Sequence, residues 1–394
     1  MEGRGVAGRG ADRATDVLLI GGGVASVRCA RALRRHGFEG TITIVGAEDR
    51  LPYNRPPLSK ELLREDLPDE LLEAEPASWY ARRSIEVAMG TRVVSLDATA
   101  ARATLADGSA IAFERCLLAT GAGLRRLGIP NAGDALMLRT AADARRLRAA
   151  AVGVAPGAPV VVIGGGFIGL EVASGLAALG LRPTVVEMAP QLWAGSLGTG
   201  LAAWAADRLT KHGVELRLAA VVTGLSRDSA SIGESEVPAA FVIAGIGVRP
   251  REELAFEAGI ATGDGVLVDD GGRTSHPRIW AAGDVARVSG RRVEHWHAAR
   301  EAGERAALSM LGLPVPAVPP AWVFSEVAGA TLDVIGATDG WDEDRWVEED
   351  RVLAYLAHDR VVGLASIDGA LPASDARRLV SSGASIDEVR AAIR

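Results

Sequence analysis

Residues 16–26 read DVLLIGGGVAS and residues 159–169 read PVVVIGGGFIG. In both stretches a short apolar, largely β-branched run ends in a glycine cluster, and an Ala/Leu-rich stretch of helical character follows, at residues 27–36 and 170–179. A run of that length and composition predicts a buried parallel strand. A second apolar run follows each helix, at residues 41–45 and 184–187. The same strand, glycine turn, helix and strand therefore occurs twice, which predicts two βαβ units of the dinucleotide-binding kind in one chain.

Working outward from these units, residues 92–96, 103–105 and 110–113 read as short strands around Asp107-Gly108 and lead to the ATG turn that contains Thr120 and Gly121. After the second unit, residues 215–218, 220–225 and 240–244 read as strands. Residues 269–279 then lead into WAAGDVA at 280–286, and a helical stretch covers 298–311. A proline-rich joint at 314–320 sets off the last segment. The expected fold is α/β, with two Rossmann-like domains, the second inserted in the first, and a small α+β C-terminal domain. The expected boundaries are a disordered leader at 1–14, a first nucleotide domain at 15–125 and 248–318, a second at 126–247 and a C-terminal domain at 319–394.

The second glycine cluster completes GxGxxG with Gly164, Gly166 and Gly169, and Phe167 and Ile168 lie between the last two. The first glycine permits the tight turn, the second lets backbone approach a pyrophosphate, and the third lets helix pack on strand. The free N–H groups and positive dipole end of the helix then face the phosphates. Glu187 ends the next strand, where a carboxylate can take the adenosine ribose hydroxyls and repel a 2′-phosphate. Residues 188–194 contain no arginine to offset that repulsion, which favours NADH over NADPH. The first cluster has Gly21 and Gly23, then Val24, Ala25 and Ser26 in place of the third glycine, and its acid comes late, at Glu48. Two nucleotide folds suggest two nucleotides, and the economical pair is FAD with the NADH that reduces it. Holding the two rings together would make hydride transfer effectively unimolecular.

Composition narrows the partners. The formal net charge is −7 and the sequence pI about 5.5, so no global basic surface invites nucleic acid or an anionic membrane. The apolar runs are far shorter than the roughly 18 residues of a membrane span. With no secretory signal in the sequence, a cytoplasmic location is expected. Only two cysteines occur, Cys29 and Cys116, in no CxxC pair, and residues 39–72 contain none. A thiol relay beside a flavin is therefore not expected, both cysteines read as small buried apolar residues, and no metal site is predicted. Lysine is nearly absent, occurring at 60 and 211 alone.

Taken in order, PYNRPPLSK at 52–60, LATGA at 118–122, the second GxGxxG through Glu171, IGVRP at 246–250, WAAGDVA at 280–286, EHWHAAREAG at 294–303 and WVFSE at 322–326 carry a family likeness. The chain resembles the FAD-dependent ferredoxin reductases of bacterial oxygenase systems, which have the pyridine nucleotide-disulfide oxidoreductase fold without the disulfide. The resemblance covers nearly the whole chain after the leader. It implies that Asp284 binds the FAD ribityl chain, that Arg55 and Lys60 lie along the flavin, and that Val93, Arg139, Thr120 and Gly121 touch the FAD. It places Gly247 at the NAD. It further implies that Lys60 approaches the reacting flavin edge paired with Glu171, and that Trp296 and Trp322 lie close to the isoalloxazine. The C-terminal motif departs from the family pattern, in which a second aromatic and Asp-Gln are usual, at Val323, Glu326 and Val327.

The implied activity is NADH:ferredoxin oxidoreduction. Electrons would pass singly to a small iron-sulfur ferredoxin, or to rubredoxin, and onward to a Rieske oxygenase or cytochrome P450. An acidic partner meeting an acidic protein would call for a local arginine patch near Trp322. Two other activities fit the same motifs: an NADH oxidase or small-acceptor reductase, and a redox protein resembling apoptosis-inducing factor. A monomer and a homodimer are equally compatible with the sequence.

Overall fold

A computed structural model of the protein describes residues 13–336 and 340–393. Most of the expected leader lies outside the described residues, but Arg13 and Ala14 are already part of the first strand and pair with Ile111 and Ala112. Along the chain come β1 (Arg13–Ile20), α1 (Val24–Arg35), β2 (Ile42–Val45), β3 (Ile85–Ala88), β4 (Val93–Asp97), β5 (Arg102–Leu105) and β6 (Ala110–Leu118). They are followed by β7 (Leu136–Met137), α2 (Ala141–Val152), β8 (Pro159–Ile163), α3 (Phe167–Ala178), β9 (Arg182–Val186), β10 (Glu215–Arg217) and β11 (Val242–Ala244). The remainder contains β12 (Ile279–Ala281), α4 (Trp296–Met310), β13 (Trp322–Val327), β14 (Ala330–Gly336), β15 (Glu343–Glu348), β16 (Val352–Ala357), β17 (Arg360–Ile367), α5 (Ala373–Ser382) and α6 (Ile386–Ala392).

The chain folds into two compact units, each assembled from three separate stretches. The first unit takes residues up to Asn54, Asp69–Gly123 and Arg249–Val318. Its sheet has the order β3-β2-β1-β6-β5-β4, with β12 alongside β6. The strands β1, β2, β3, β6 and β12 pair with one another in parallel, whereas β5 pairs antiparallel with β6 and β4 antiparallel with β5. Strand β1 sits at the centre and is apolar on both faces, as a doubly covered parallel strand must be. Its residues alternate between two cores. Val17 and Leu19 pack with Cys29, Leu33, Ala306 and Trp280, while Leu18 and Ile20 pack with Ile111, Phe113, Cys116 and Ile279.

The second unit takes Arg55–Pro68, Leu124–Val248 and Pro319–Arg394. It holds a parallel sheet of order β10-β9-β8-β11-β7, a three-stranded antiparallel sheet between residues 222 and 238, and the C-terminal antiparallel sheet β13-β14-β17-β16-β15. Val160, Val161 and Val162 of β8 are fully buried. The C-terminal strands bury Val352, Leu353, Ala354 and Tyr355 at 0% exposure, and the Tyr355 hydroxyl donates to Leu197 O at 3.0 Å.

Two differences from the sequence reading are structural. Residues 55–68, expected with the first nucleotide domain, belong by their contacts to the second unit, as does the C-terminal segment. Both helices of the glycine units also start three residues earlier than their apolar patterns suggest, because Gly23 and Gly166 themselves act as N-caps.

Candidate active site

The two glycine turns are built alike. Gly21 has φ +126° and Gly164 has φ +109°, and a Cβ on either would lie 2.0 Å from Ala119 O or 2.4 Å from Gly245 O. In each case the carbonyl belongs to the residue just beyond the adjacent parallel strand, β6 or β11, so only glycine fits. A Cβ on Gly23 or on Gly166, by contrast, would meet nothing within 4 Å. Open space therefore stands over the second glycine of both turns, where a pyrophosphate would rest.

Helix capping is compatible with the same reading, and α4 also starts without a side-chain cap. Helices α1 and α3 have glycine N-caps with no side-chain cap and no acid in the first turn. Helix α2 has a full capping box between Thr140 and Asp143, and α6 has one between Ser385 and Glu388. A helix whose first N–H groups are left to an external acceptor suits an anion. Val24 and Ala25, and Phe167 and Ile168, are the opening residues of α1 and α3. These two cradles fit one dinucleotide each.

The acids differ between the two turns. Glu187 follows β9, and its carboxylate accepts from the N–H of Gly165 at 2.6 Å and of Ala189 at 2.8 Å. It is held directly against the glycine turn. Glu48 lies on the loop after β2 and accepts from the Tyr53 hydroxyl at 2.7 Å. Val93 has its side chain in a core cluster, 8% exposed. The Thr120 hydroxyl donates to Arg251 O at 2.7 Å, and Gly121 and Gly247 take left-handed φ of +71° and +89°.

Still within the first unit, Asp284 lies beyond β12 near His295, the N-cap of α4. Burial pushes the His295 imidazole down to about 4, and the Asp284 charge opposes that shift. Trp296 opens α4, donates its indole N–H to Asn54 Oδ1 at 3.0 Å, and carries the Arg300 guanidinium 4.3 Å from its ring centroid.

In the second unit the structure brings Lys60 and Glu171 together. The Lys60 Nζ lies 2.8 Å from Glu171 Oε2, with the carboxylate side chain 4% exposed. Lys60 stands at the break between a 3₁₀ turn, Pro56–Ser59, and a short helix, Glu61–Arg64, with φ −118° and ψ −98°. Arg55 donates to Arg139 O, joining two further expected residues.

The C-terminal aromatics have separate polar neighbours. The ring beside Lys60 is Phe324, 5.4 Å from Nζ, and not Trp322. Trp322 instead donates to Asp333 Oδ1 at 2.7 Å and lies 5.5 Å from the Arg377 guanidinium. Both residues share one face of β13, but two positions along a strand amount to about 6–7 Å. The sequence reading also passed over Ser59 and Ser325. Ser59 stands next to Lys60, and Ser325 belongs to the buried alternation 323, 325, 327 of β13, which was the available signal.

Cys29 and Cys116 are free and fully buried, and burial pushes both thiols up. Among the described residues, no helix is long and apolar enough to cross a membrane and no cluster of metal-binding side chains occurs.

A chain with two dinucleotide cradles falls in the class of nucleotide-linked oxidoreductases. The family model for pyridine nucleotide-disulphide oxidoreductases matches residues 15–303, and the chain belongs to that family. It is 34% identical over 381 residues to a rubredoxin-NAD(+) reductase of Pseudomonas putida, covering 91% of this chain and 98% of the relative. It is 36% identical over 390 residues to the ferredoxin–NAD(+) reductase component of the biphenyl dioxygenase system of Paraburkholderia xenovorans, covering 94% of each. Among solved structures, the covalent putidaredoxin reductase-putidaredoxin complex matches with a TM-score of 0.88 and 28% identity, covering 94% of this chain and 93% of that one. The family and the two-domain α/β fold expected from the motifs are thus the ones found.

Proposed function

We propose that the protein is an FAD-containing, NADH-dependent reductase that delivers electrons singly to a small iron-sulfur ferredoxin, or to rubredoxin, serving a Rieske oxygenase or a cytochrome P450. The observation that carries the reading is the pair of glycine cradles, each open over its second glycine and each closed by an uncapped helix. The electron-transfer relatives of similar length and the buried, separated thiols support it.

The flavin, when bound, supplies the conversion of a hydride pair into single electrons. The chain's own residues hold and bias it. Backbone N–H groups of Val24 and Ala25 serve the FAD pyrophosphate, and those of Phe167 and Ile168 serve that of NADH. Glu187, already braced on the turn, accepts from the ribose hydroxyls and disfavours a 2′-phosphate. Asp284, Arg55, Arg139, Thr120, Gly121 and the backbone of Val93 are assigned to the FAD, and Gly247 to the NADH. Lys60 would stabilise the negative charge that arrives with hydride, and Glu171 offsets the cost of burying that ammonium. Trp296 and Trp322 are assigned to the flavin surroundings, and Phe324 lies beside Lys60. We place the protein in the cytoplasm, where its coenzyme is.

The purified protein is expected to be yellow, to be bleached by NADH, and to reduce a candidate ferredoxin far faster than it consumes oxygen alone. A colourless protein that takes up no flavin would refute the reading, and rapid oxygen consumption without ferredoxin would turn it into an oxidase. If an arginine patch near Trp322 steers docking, the rate of ferredoxin reduction falls as ionic strength rises.

A further inference from the structure

The carboxylate of Glu171 accepts two hydrogen bonds, both from serines, besides its ion pair with the lysine. The Ser59 hydroxyl donates to Oε2 at 2.5 Å, the Ser325 hydroxyl donates to Oε1 at 2.7 Å, and the Lys60 ammonium lies 2.8 Å from Oε2. Both serines are nearly sealed from solvent, at 3% and 4% exposure. They come from separate segments: Ser59 from the 3₁₀ turn after Pro56-Pro57, Glu171 from α3, and Ser325 from β13. The backbone break at Lys60 lets two consecutive residues, Ser59 and Lys60, reach the same oxygen.

A buried ion pair is tolerable when its remaining lone pairs and protons are satisfied, and its direction is fixed when few other arrangements satisfy them. With a hydroxyl on each oxygen, the carboxylate cannot rotate or flip without breaking a bond. The ammonium, tied to Oε2, to Pro56 O at 3.4 Å and to the face of Phe324, is then confined to one side of the carboxylate. We propose that Ser59 and Ser325 are positioning residues that fix the Glu171 carboxylate and thereby aim the Lys60 ammonium. The C-terminal segment thus contributes one of the bonds on which the lysine's direction depends. This inference rests on the reductase reading only for its kinetic consequence.

The test uses the full chain with Ser59→Ala, Ser325→Ala and the double substitution, plus Ser59→Thr and Ser325→Thr, which keep the hydroxyl. Infrared difference spectra against Glu171→Gln, taken on protein without nucleotide, isolate the Glu171 carboxylate band. That band is expected to move in each alanine variant, to move further in the double variant, and to stay near its original position in at least one threonine variant. In rapid-mixing experiments on the flavin-loaded double variant, the limiting rate of reduction by NADH is expected to fall about tenfold while the KM for NADH changes less than about twofold. A merely structural role would leave the infrared band in place, or would shift KM and the limiting rate together.

An unmoved band, or an unchanged limiting rate in a flavin-loaded double variant, overturns the inference and leaves the reductase reading intact. A wild-type protein that binds no flavin overturns the reductase reading, and the infrared series then decides by itself whether the serines hold the carboxylate. Cooperative unfolding of each variant, with no more loss of stability than about 1 kcal/mol per hydroxyl removed, excludes loss of fold as the cause.

Discussion

The two glycine turns share a backbone path but solve one packing problem differently. In the second, α3 lies so close to the turn that a Cβ on Gly169 would stand 2.1 Å from Gly164 O. In the first, the equivalent position is Ser26, fully buried, and its hydroxyl donates to the equivalent carbonyl, Gly21 O, at 2.6 Å. A close approach of another kind occurs on the same helix. Helix α4 crosses α1 where a Cβ on Gly303 would lie 2.2 Å from Ala25 O. A missing third glycine is thus no sign of a missing site: here a serine hydroxyl ties the helix to the turn and a second helix packs closely on it.

The comparison can be broken most severely at the close contacts. Gly169→Ala and Gly303→Ala each press a methyl into a backbone carbonyl, and each is expected to destabilise its own unit by about 3 kcal/mol or more, read as a shift in the denaturant midpoint. If Gly303→Ala were silent, the close approach of α4 to Ala25 O would be wrong. Next comes acid. His295 is half-buried in the first unit with a folded value near 4 against about 6.5 when unfolded, so the unfolded chain binds the extra proton between those limits. The stability it contributes is complete above pH 6.5 and is lost as pH falls toward 4, about 3 kcal/mol in all. His295→Asn should flatten the pH dependence of unfolding in that window.

Smaller effects separate binding from folding. Gly23→Ala and Gly166→Ala place a methyl in open space, so the midpoint of unfolding should barely move. Flavin retention should suffer in the first and NADH affinity in the second, each weakened about tenfold or more in Kd. Ser26→Ala removes one buried hydroxyl bond and should cost about 1 kcal/mol without loss of the flavin. A larger loss would mean that the serine does more than hold the turn.

How far the sequence could be read follows from which interactions are local. Both turns were legible because glycine spacing, strand and helix lie within 23 consecutive residues or fewer, and Glu187 is placed by the strand that precedes it. The helix starts were not, because a glycine N-cap followed by Val24 or Phe167 carries none of the usual capping residues. The hairpin of Ser229–Ile232 and Ser235–Pro238 escaped because its strands are short and polar, with too little alternation to stand out. Lys60 and Glu171 could be paired only through the family likeness. Ser59, Ser325 and Phe324 depend on three segments meeting around one carboxylate, and no window of sequence contains that meeting.

The way β6 is completed bears on how the protein is made. Its residues Cys116, Leu117 and Leu118 pair on one side with β1 and on the other with Ile279, Trp280 and Ala281 of β12. During translation the ribosome must add the whole intervening insert before that second neighbour emerges. Until then the nascent polypeptide presents an apolar strand edge able to recruit another chain. Such distant pairing makes for slow maturation. A growing cell would therefore have reason to shelter this polypeptide with a chaperone until Ile279–Ala281 have emerged.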